Sequence, residues 1–146
     1  MTDNSYNIYM VTKVFINLPV KDLAASMDFF SKLGFSFNEQ FTNEQAACLQ
    51  VSDTVSVMLL VEEFFQTFTR KEIVDATKMT EVLTALLVES REAVDVLLEK
   101  ALEAGAEEGS EAQDRGFMYS RSFEDPDGHI WEIFFMDENA VAENMQ

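Results

Sequence analysis

The chain is poor in the residues that mark many familiar chemistries. In 146 residues it has one cysteine, one histidine, one tryptophan, two prolines and five glycines. A single thiol, Cys48, excludes an internal disulfide and suits a reducing compartment. No nearby histidine or basic residue stands beside it in sequence to lower its pKa, so it reads as a small core residue. There is no glycine-rich phosphate loop, no Cys-x-x-Cys pair and no nucleophile-elbow serine. Positive charge is also scarce. Ten Lys and Arg against 27 Asp and Glu leave a formal net charge of −17. With no clustered basic patch, this balance excludes nucleic acid and acidic membrane surfaces as partners. No apolar run reaches the length of a membrane span. Residues 1–10 are polar, lack the apolar core of a signal peptide and read as a loose leader, so a cytoplasmic location is expected.

What the chain does have is bulk. Hydrophobic residues make up 47% of it, with thirteen Phe and eight Met. That excludes a disordered chain and suits either a core of large side chains or an apolar cavity. The length is that of one domain.

Alternation begins at Lys13. Val14, Ile16, Leu18 and Val20 share one face of a strand; Phe15, Asn17 and Pro19 share the other. Asp22 reads as the N-cap of a helix carrying Leu23, Met27, Phe30 and Leu33, and Gly34 closes it. Strands are expected at Phe35–Phe41, Ala46–Val51 and Val55–Val61. A connector follows over 62–79, one or two short helices that are either an ordinary packed link or a lid. The pattern then restarts. Val82, Thr84, Leu86 and Val88 repeat the first strand at an offset of 68 residues, Ser90 repeats the N-cap, and Gly105 repeats the closing glycine. Strands at 106–110, 116–124 and 130–136 complete a second copy, and 137–146 read as an acidic tail. The expected organisation is one α+β domain with a first βαβββ module at 11–61 and a second at 80–136.

The stretch Asp125-Pro126-Asp127-Gly128 is a turn with Pro presetting φ and Gly closing it. Pairing of Asp125 with His129 across it sets Ser122 opposite Glu132. The strand after the turn, Ile130–Met136, has large apolar residues at both parities and reads as buried on both faces, with Glu132 a carboxylate in its middle. An ionised carboxylate is costly to bury without a partner. Two readings stay open. Glu132 is a satisfied structural acid, or it faces a ligand cavity as an acid or base whose pKa burial raises. His129 is a turn residue or a general base. Arg121 and Tyr119 fall on the parity opposite Glu132.

Asn17-Leu18-Pro19-Val20-Lys21-Asp22-Leu23, Phe29-Phe30, Leu33-Gly34-Phe35 and Asp125-Pro126-Asp127-Gly128-His129-Ile130-Trp131-Glu132 together resemble the vicinal-oxygen-chelate superfamily. It groups glyoxalase I, bleomycin-resistance proteins and extradiol dioxygenases. The resemblance covers about residues 12–136. It implies paired modules whose mixed sheets curl into a cup holding a metal or small molecule, commonly in a homodimer. It also implies four metal ligands on the first and last strands of the modules. Carried over, one ligand position falls on Glu132; the others fall on Phe15, Leu59 and Leu83, none of which binds metal. A lone carboxylate among Phe and Leu is not a divalent-metal site.

Three functions follow from the resemblance. The first is a small-molecule binder without a cofactor. Its cup is lined by Phe15, Asn17, Leu59 and Leu83 on one set of strands and by Ser122, Glu132 and Phe134 on the last two. The second is a metal-dependent lyase, isomerase or dioxygenase in which Glu132 is one ligand of a divalent metal. The third is a protein-interaction module with a filled cup.

Overall fold

The structure is a computed structural model and describes residues 10–140. The expected leader lies almost wholly outside the described residues, as do the last six residues of the expected tail. The described chain forms two compact units. The first holds the residues up to Leu23 together with Phe35–Lys71; the second holds Ala24–Gly34 and everything from Glu72 onward.

The sheet of the first unit contains β1 (Val14–Val20), β2 (Ser36–Phe37), β3 (Ala46–Gln50) and β4 (Val55–Val61) in the order β1-β4-β3-β2. β1 and β4 run parallel, and the other pairs are antiparallel. Its buried face carries Leu18 and Val20 of β1, Ala47 and Leu49 of β3, and Val57 and Leu59 of β4. These are the apolar parities of three neighbouring strands. Burying one such side chain contributes about 1.5–3 kcal/mol. The strand expected at 35–41 is cut to two residues. The Asn38 amide still donates to the Cys48 carbonyl of β3 at 2.9 Å, but its side chain accepts a hydrogen bond from the Gln40 amide and starts a short 3-10 turn over Glu39–Phe41. Asparagine favours this local bond over strand pairing. After β4, a helix at Glu62–Phe65 (here α2) and a second 3-10 turn at Gln66–Phe68 make the first part of the expected connector helical, residues 69–79 hold no helix, and Phe64 packs edge-to-face on Phe68.

The second sheet repeats the first. β5 (Leu83–Leu87), β6 (Glu107–Glu108), β8 (Met118–Glu124) and β9 (Ile130–Met136) lie in the order β5-β9-β8-β6, and a two-residue strand, β7 (Gln113–Asp114), also pairs with β8. β5 runs parallel to β9, as β1 runs parallel to β4. The helix α3 (Arg91–Glu103) buries Val94, Leu98 and Ala101, and Ser90 caps it by accepting the Ala93 amide at 3.0 Å. Both module-closing glycines, Gly34 and Gly105, have positive φ, as the sequence predicts.

The helix α1 (Leu23–Lys32) departs from the simplest modular reading. Its sequence belongs to the first repeat, but residues 24–34 belong to the second unit. Aromatic packing accounts for this. Phe29 lies 5.9 Å from Phe123 and Phe30 lies 5.0 Å from Trp131, centroid to centroid, and Phe123 stacks on Trp131. All four rings are essentially buried.

The turn between β8 and β9 forms as the sequence predicts. Gly128 donates to the Asp125 carbonyl at 2.9 Å, with φ at +91°. The left-handed backbone alone favours glycine there. Space does so too, because a Cβ on Gly128 would stand 2.8 Å from the Thr77 backbone of the connector.

Candidate functional site

β9 is not buried on both faces. Trp131 and Ile133 are fully buried, whereas Ile130, Glu132, Phe134 and Met136 are only partly covered. The reading of this strand as doubly buried is therefore corrected. One face meets the aromatic core, the other looks outward, and Glu132 lies on the outward one. Its ladder neighbours are Ser122 on β8 and Ala85 on β5. The Ser122–Glu132 register is the one the turn predicts. Leu83 and Phe134 share this face, paired with Ile130 and Leu87 respectively. Leu83 is 55% exposed.

A cavity of about 200 Å³ opens on this face. Glu132, Ser120, Ser122 and Phe134 lie along its strands, with Ala85 and Met118 beside them. The loop between β6 and β8 supplies Ser110, Glu111 and Gln113. That loop is held down at both ends. Gly109 donates to the Ser122 carbonyl at 2.9 Å and the Ser110 amide donates to Ser122 Oγ at 3.1 Å. A Cβ on Gly109 would collide with Ser122 Oγ, so a side chain there would displace the hydroxyl that accepts the Ser110 amide. At the far end Arg91 donates to both Asp114 oxygens, at 2.8 and 2.7 Å, and to the Gly116 carbonyl at 3.0 Å. The same guanidinium lies 5.2 Å over the Tyr119 ring. Ser122, buried and already accepting from the loop, positions that loop.

Charges around the cavity are distributed unevenly. Arg121 borders it, but its guanidinium is paired with Asp95 at 2.9 Å and Glu108 at 3.0 Å. The Tyr119 hydroxyl donates to the same Asp95 oxygen at 2.7 Å, and this bond, with Arg121, holds the Asp95 carboxyl below its ordinary range. Arg91 holds Asp114 well below that range as well. Arg121 and Tyr119 thus sit on the parity opposite Glu132, as the sequence predicts, and serve a network tying β8 to α3. Glu132 has none of this. Its carboxylate makes no hydrogen bond or ion pair with any described residue.

The remaining expected residues lie in the first unit. Phe15 and Asn17 stand on the exposed face of β1, paired with Ser56 and Met58. Leu59 does not share that face. It pairs with Leu18 and Ala47 and is fully buried, so its assignment to a cup lining is corrected by one residue of parity. The repeat identifies the equivalent position. Ala85–Glu132–Ser122 in the second sheet corresponds to Asn17–Met58–Cys48 in the first. The counterpart of Glu132 is therefore Met58, a thioether in place of a carboxylate.

His129 does not line the cavity. Its amide donates to Asp125 Oδ1, as does that of Asp127, while the Trp131 indole donates to Asp125 Oδ2 at 3.0 Å. Burial raises the Asp125 carboxyl above its ordinary value, and the nearby His129 offsets part of that rise. The buried acid of this hairpin is thus Asp125 and its role is structural.

A divalent metal needs several donors converging on one point. No three His, Cys, Asp or Glu side chains do so among the described residues. The Glu132 surroundings, with serine and alanine as ladder neighbours, do not fit such a centre built from one chain.

The family model of the Glyoxalase/Bleomycin resistance protein/Dioxygenase superfamily matches residues 13–133. The chain belongs to that superfamily. No curated protein matches it. Among solved structures, a hypothetical protein from S. aureus is 29% identical, with a TM-score of 0.74 over 86% of this chain and 94% of its own. A glyoxalase-related enzyme from Fulvimarina pelagi is 25% identical, with a TM-score of 0.71 over 84% of this chain and 86% of its own. A superfamily enzyme from Burkholderia phytofirmans shares the fold at 20% identity and a TM-score of 0.71, over 84% of this chain and 97% of its own. The doubled sheet order is the superfamily architecture. Among the described residues no helix is long and apolar enough to cross a membrane.

Proposed function

We propose that this superfamily member binds a small, partly apolar molecule on the Glu132 face of its second sheet, without the superfamily's usual metal-ligand set. The observation that carries this reading is the unpartnered Glu132 carboxylate beside a cavity of about 200 Å³ that Phe134, Met118 and Ala85 make partly apolar. Cavities that enclose drug-sized ligands run to roughly 300–1,000 Å³, so the molecule is smaller than those. The reading also has the protein working as a homodimer, as the family resemblance implies, and in the cytoplasm, as the single free thiol suggests.

The competing reading is a metal-dependent lyase, isomerase or dioxygenase in which Glu132 is one ligand of a divalent metal. Membership in a superfamily that includes such enzymes favours it. Metal content separates the two. Protein purified without added metal or chelator is expected to carry no stoichiometric Ni, Zn, Mn or Fe. One equivalent of metal per chain that disappears in Glu132→Ala would overturn the binder.

A further inference from the structure

We propose that the ligand of this cavity carries a compact organic cation, an ammonium or guanidinium group, on a short apolar body. This deepens the binding reading above and rests on it. Each carboxylate of the network beside the cavity is committed elsewhere: Asp114 to Arg91, Asp95 to Tyr119 and Arg121, Glu108 to Arg121. Only Arg121, among the residues lining the cavity, is cationic, and both of its guanidinium arms are engaged by Asp95 and Glu108. The cavity therefore presents the Glu132 charge, and that of Glu111 on the loop, with no countercharge from its own lining.

The neutral groups have matching polarity. Ser120 and Gln113 stand across from each other in the β7–β8 ladder and offer oxygen acceptors for additional N–H donors. Phe134 and Met118 offer apolar and polarisable contact to the body of the ligand, and an aromatic face attracts a cation. An anionic ligand would meet Glu132 with nothing to offset it. A neutral ligand would bury a half-covered carboxylate without a partner, which is costly. An organic cation satisfies the charge and needs no convergent ligand set, unlike a metal ion. The overall charge of −17 raises the local concentration of any cation by the same sign.

The test is a titration of isotope-labelled protein with three probes of one size: benzylammonium, benzyl alcohol and benzoate. It is followed through the amide resonances of β8 and β9 and repeated on Glu132→Gln. The expected result is saturable binding of benzylammonium that shifts residues around Ser120 and Glu132, with the other two probes much weaker. A charge-assisted hydrogen bond lost from a partly covered site weakens binding by about tenfold or more, so Glu132→Gln should lose at least that factor. Equal binding of benzyl alcohol, or no loss in Glu132→Gln, overturns the cation and leaves the small-molecule reading standing. Failure of all three probes to perturb this face overturns both. Glu99→Gln, an exposed acid on α3 outside the cavity lining, is the control for the nonspecific field of the acidic surface, and a loss there as large as in Glu132→Gln also overturns the assignment.

Discussion

Replacing Asp125 should cost more than replacing any exposed acid of this chain, and the structure indicates how much. Asp125 is 6% exposed and its carboxylate accepts three hydrogen bonds, two from the Asp127 and His129 amides and one from the Trp131 indole. Trp131 is fully buried, so its N–H has no solvent alternative. Truncation to alanine strands that donor, with a penalty of about 1–3 kcal/mol, and loosens two amides of a tight turn. Part of the loss is offset. The Asp125 carboxyl is raised by burial, so the ionised group carries a desolvation cost that the variant no longer has. The net expectation for Asp125→Ala is a loss of about 2–3 kcal/mol, large against the roughly 5–15 kcal/mol that holds a typical domain folded. Asp125→Asn keeps one oxygen for the two amides but sets its NH2 against the indole N–H, so its loss should be smaller, about 1–2 kcal/mol. Urea unfolding followed by tryptophan fluorescence measures both, since Trp131 is the only tryptophan. A double-mutant cycle with Trp131→Phe, followed by far-UV circular dichroism because that variant has no tryptophan, should return a coupling of about 1 kcal/mol. An Asp125→Ala protein within about 0.5 kcal/mol of wild type would refute the argument that this buried acid organises the hairpin.

Arg91→Met should leave the helices and sheets intact but free the loop at 110–116, because Arg91 alone ties Asp114 and the Gly116 carbonyl to α3. Hydrogen exchange of amides in that loop should speed up by about fivefold, the upper end for an exposed ion pair, and unchanged exchange would remove Arg91 as its anchor. Acid should destabilise the protein through Asp95 and Asp114. Both are depressed in the fold by their hydroxyl and guanidinium partners, so their contribution is complete above the ordinary carboxyl range near pH 4 and is lost as pH falls below it. Asp125 has the opposite sign, since its raised carboxyl favours the fold most at low pH and loses that contribution as pH rises through its folded value. The urea midpoint measured from pH 6 down to pH 2 should fall, and fall less steeply in Arg91→Met.

Strand parity made most of the architecture legible. Val14, Ile16, Leu18 and Val20 and their echo at Val82, Thr84, Leu86 and Val88 predict two strands, and the structure pairs each one parallel to the last strand of its repeat. The turn Asp125–Gly128 predicts the Ser122–Glu132 register without error because a four-residue turn leaves no slack. Leu59 fails for the complementary reason. Nothing local fixes the β1–β4 register, which is set by a parallel crossover, and a slip of one residue moves a side chain to the other face. The position of α1 was not legible either. Its apolar stripe states that it packs and not on what, and the partner is decided by Phe123 and Trp131, about 100 residues away.

The cavity shows the same division. Glu132, Ser122 and Phe134 could be read from alternation, and Ser120 follows from Ser122 by the same rule. Ser110, Glu111 and Gln113 arrive on a loop with no periodicity, positioned by Ser122 at one end and Arg91 at the other. The carboxylate that looked misplaced in an apolar strand is better explained by the strand than by the charge. β9 gives its aromatic and branched residues to α1 and α3 and turns a partly covered face outward, so a carboxylate at 132 carries only part of the cost of burial. The repeat then separates what the fold needs from what the site uses. Met58 fills the equivalent position in the first sheet, so the architecture does not require an acid there. A carboxylate that the fold does not need, and that no neighbouring arginine has taken up, is available for a ligand.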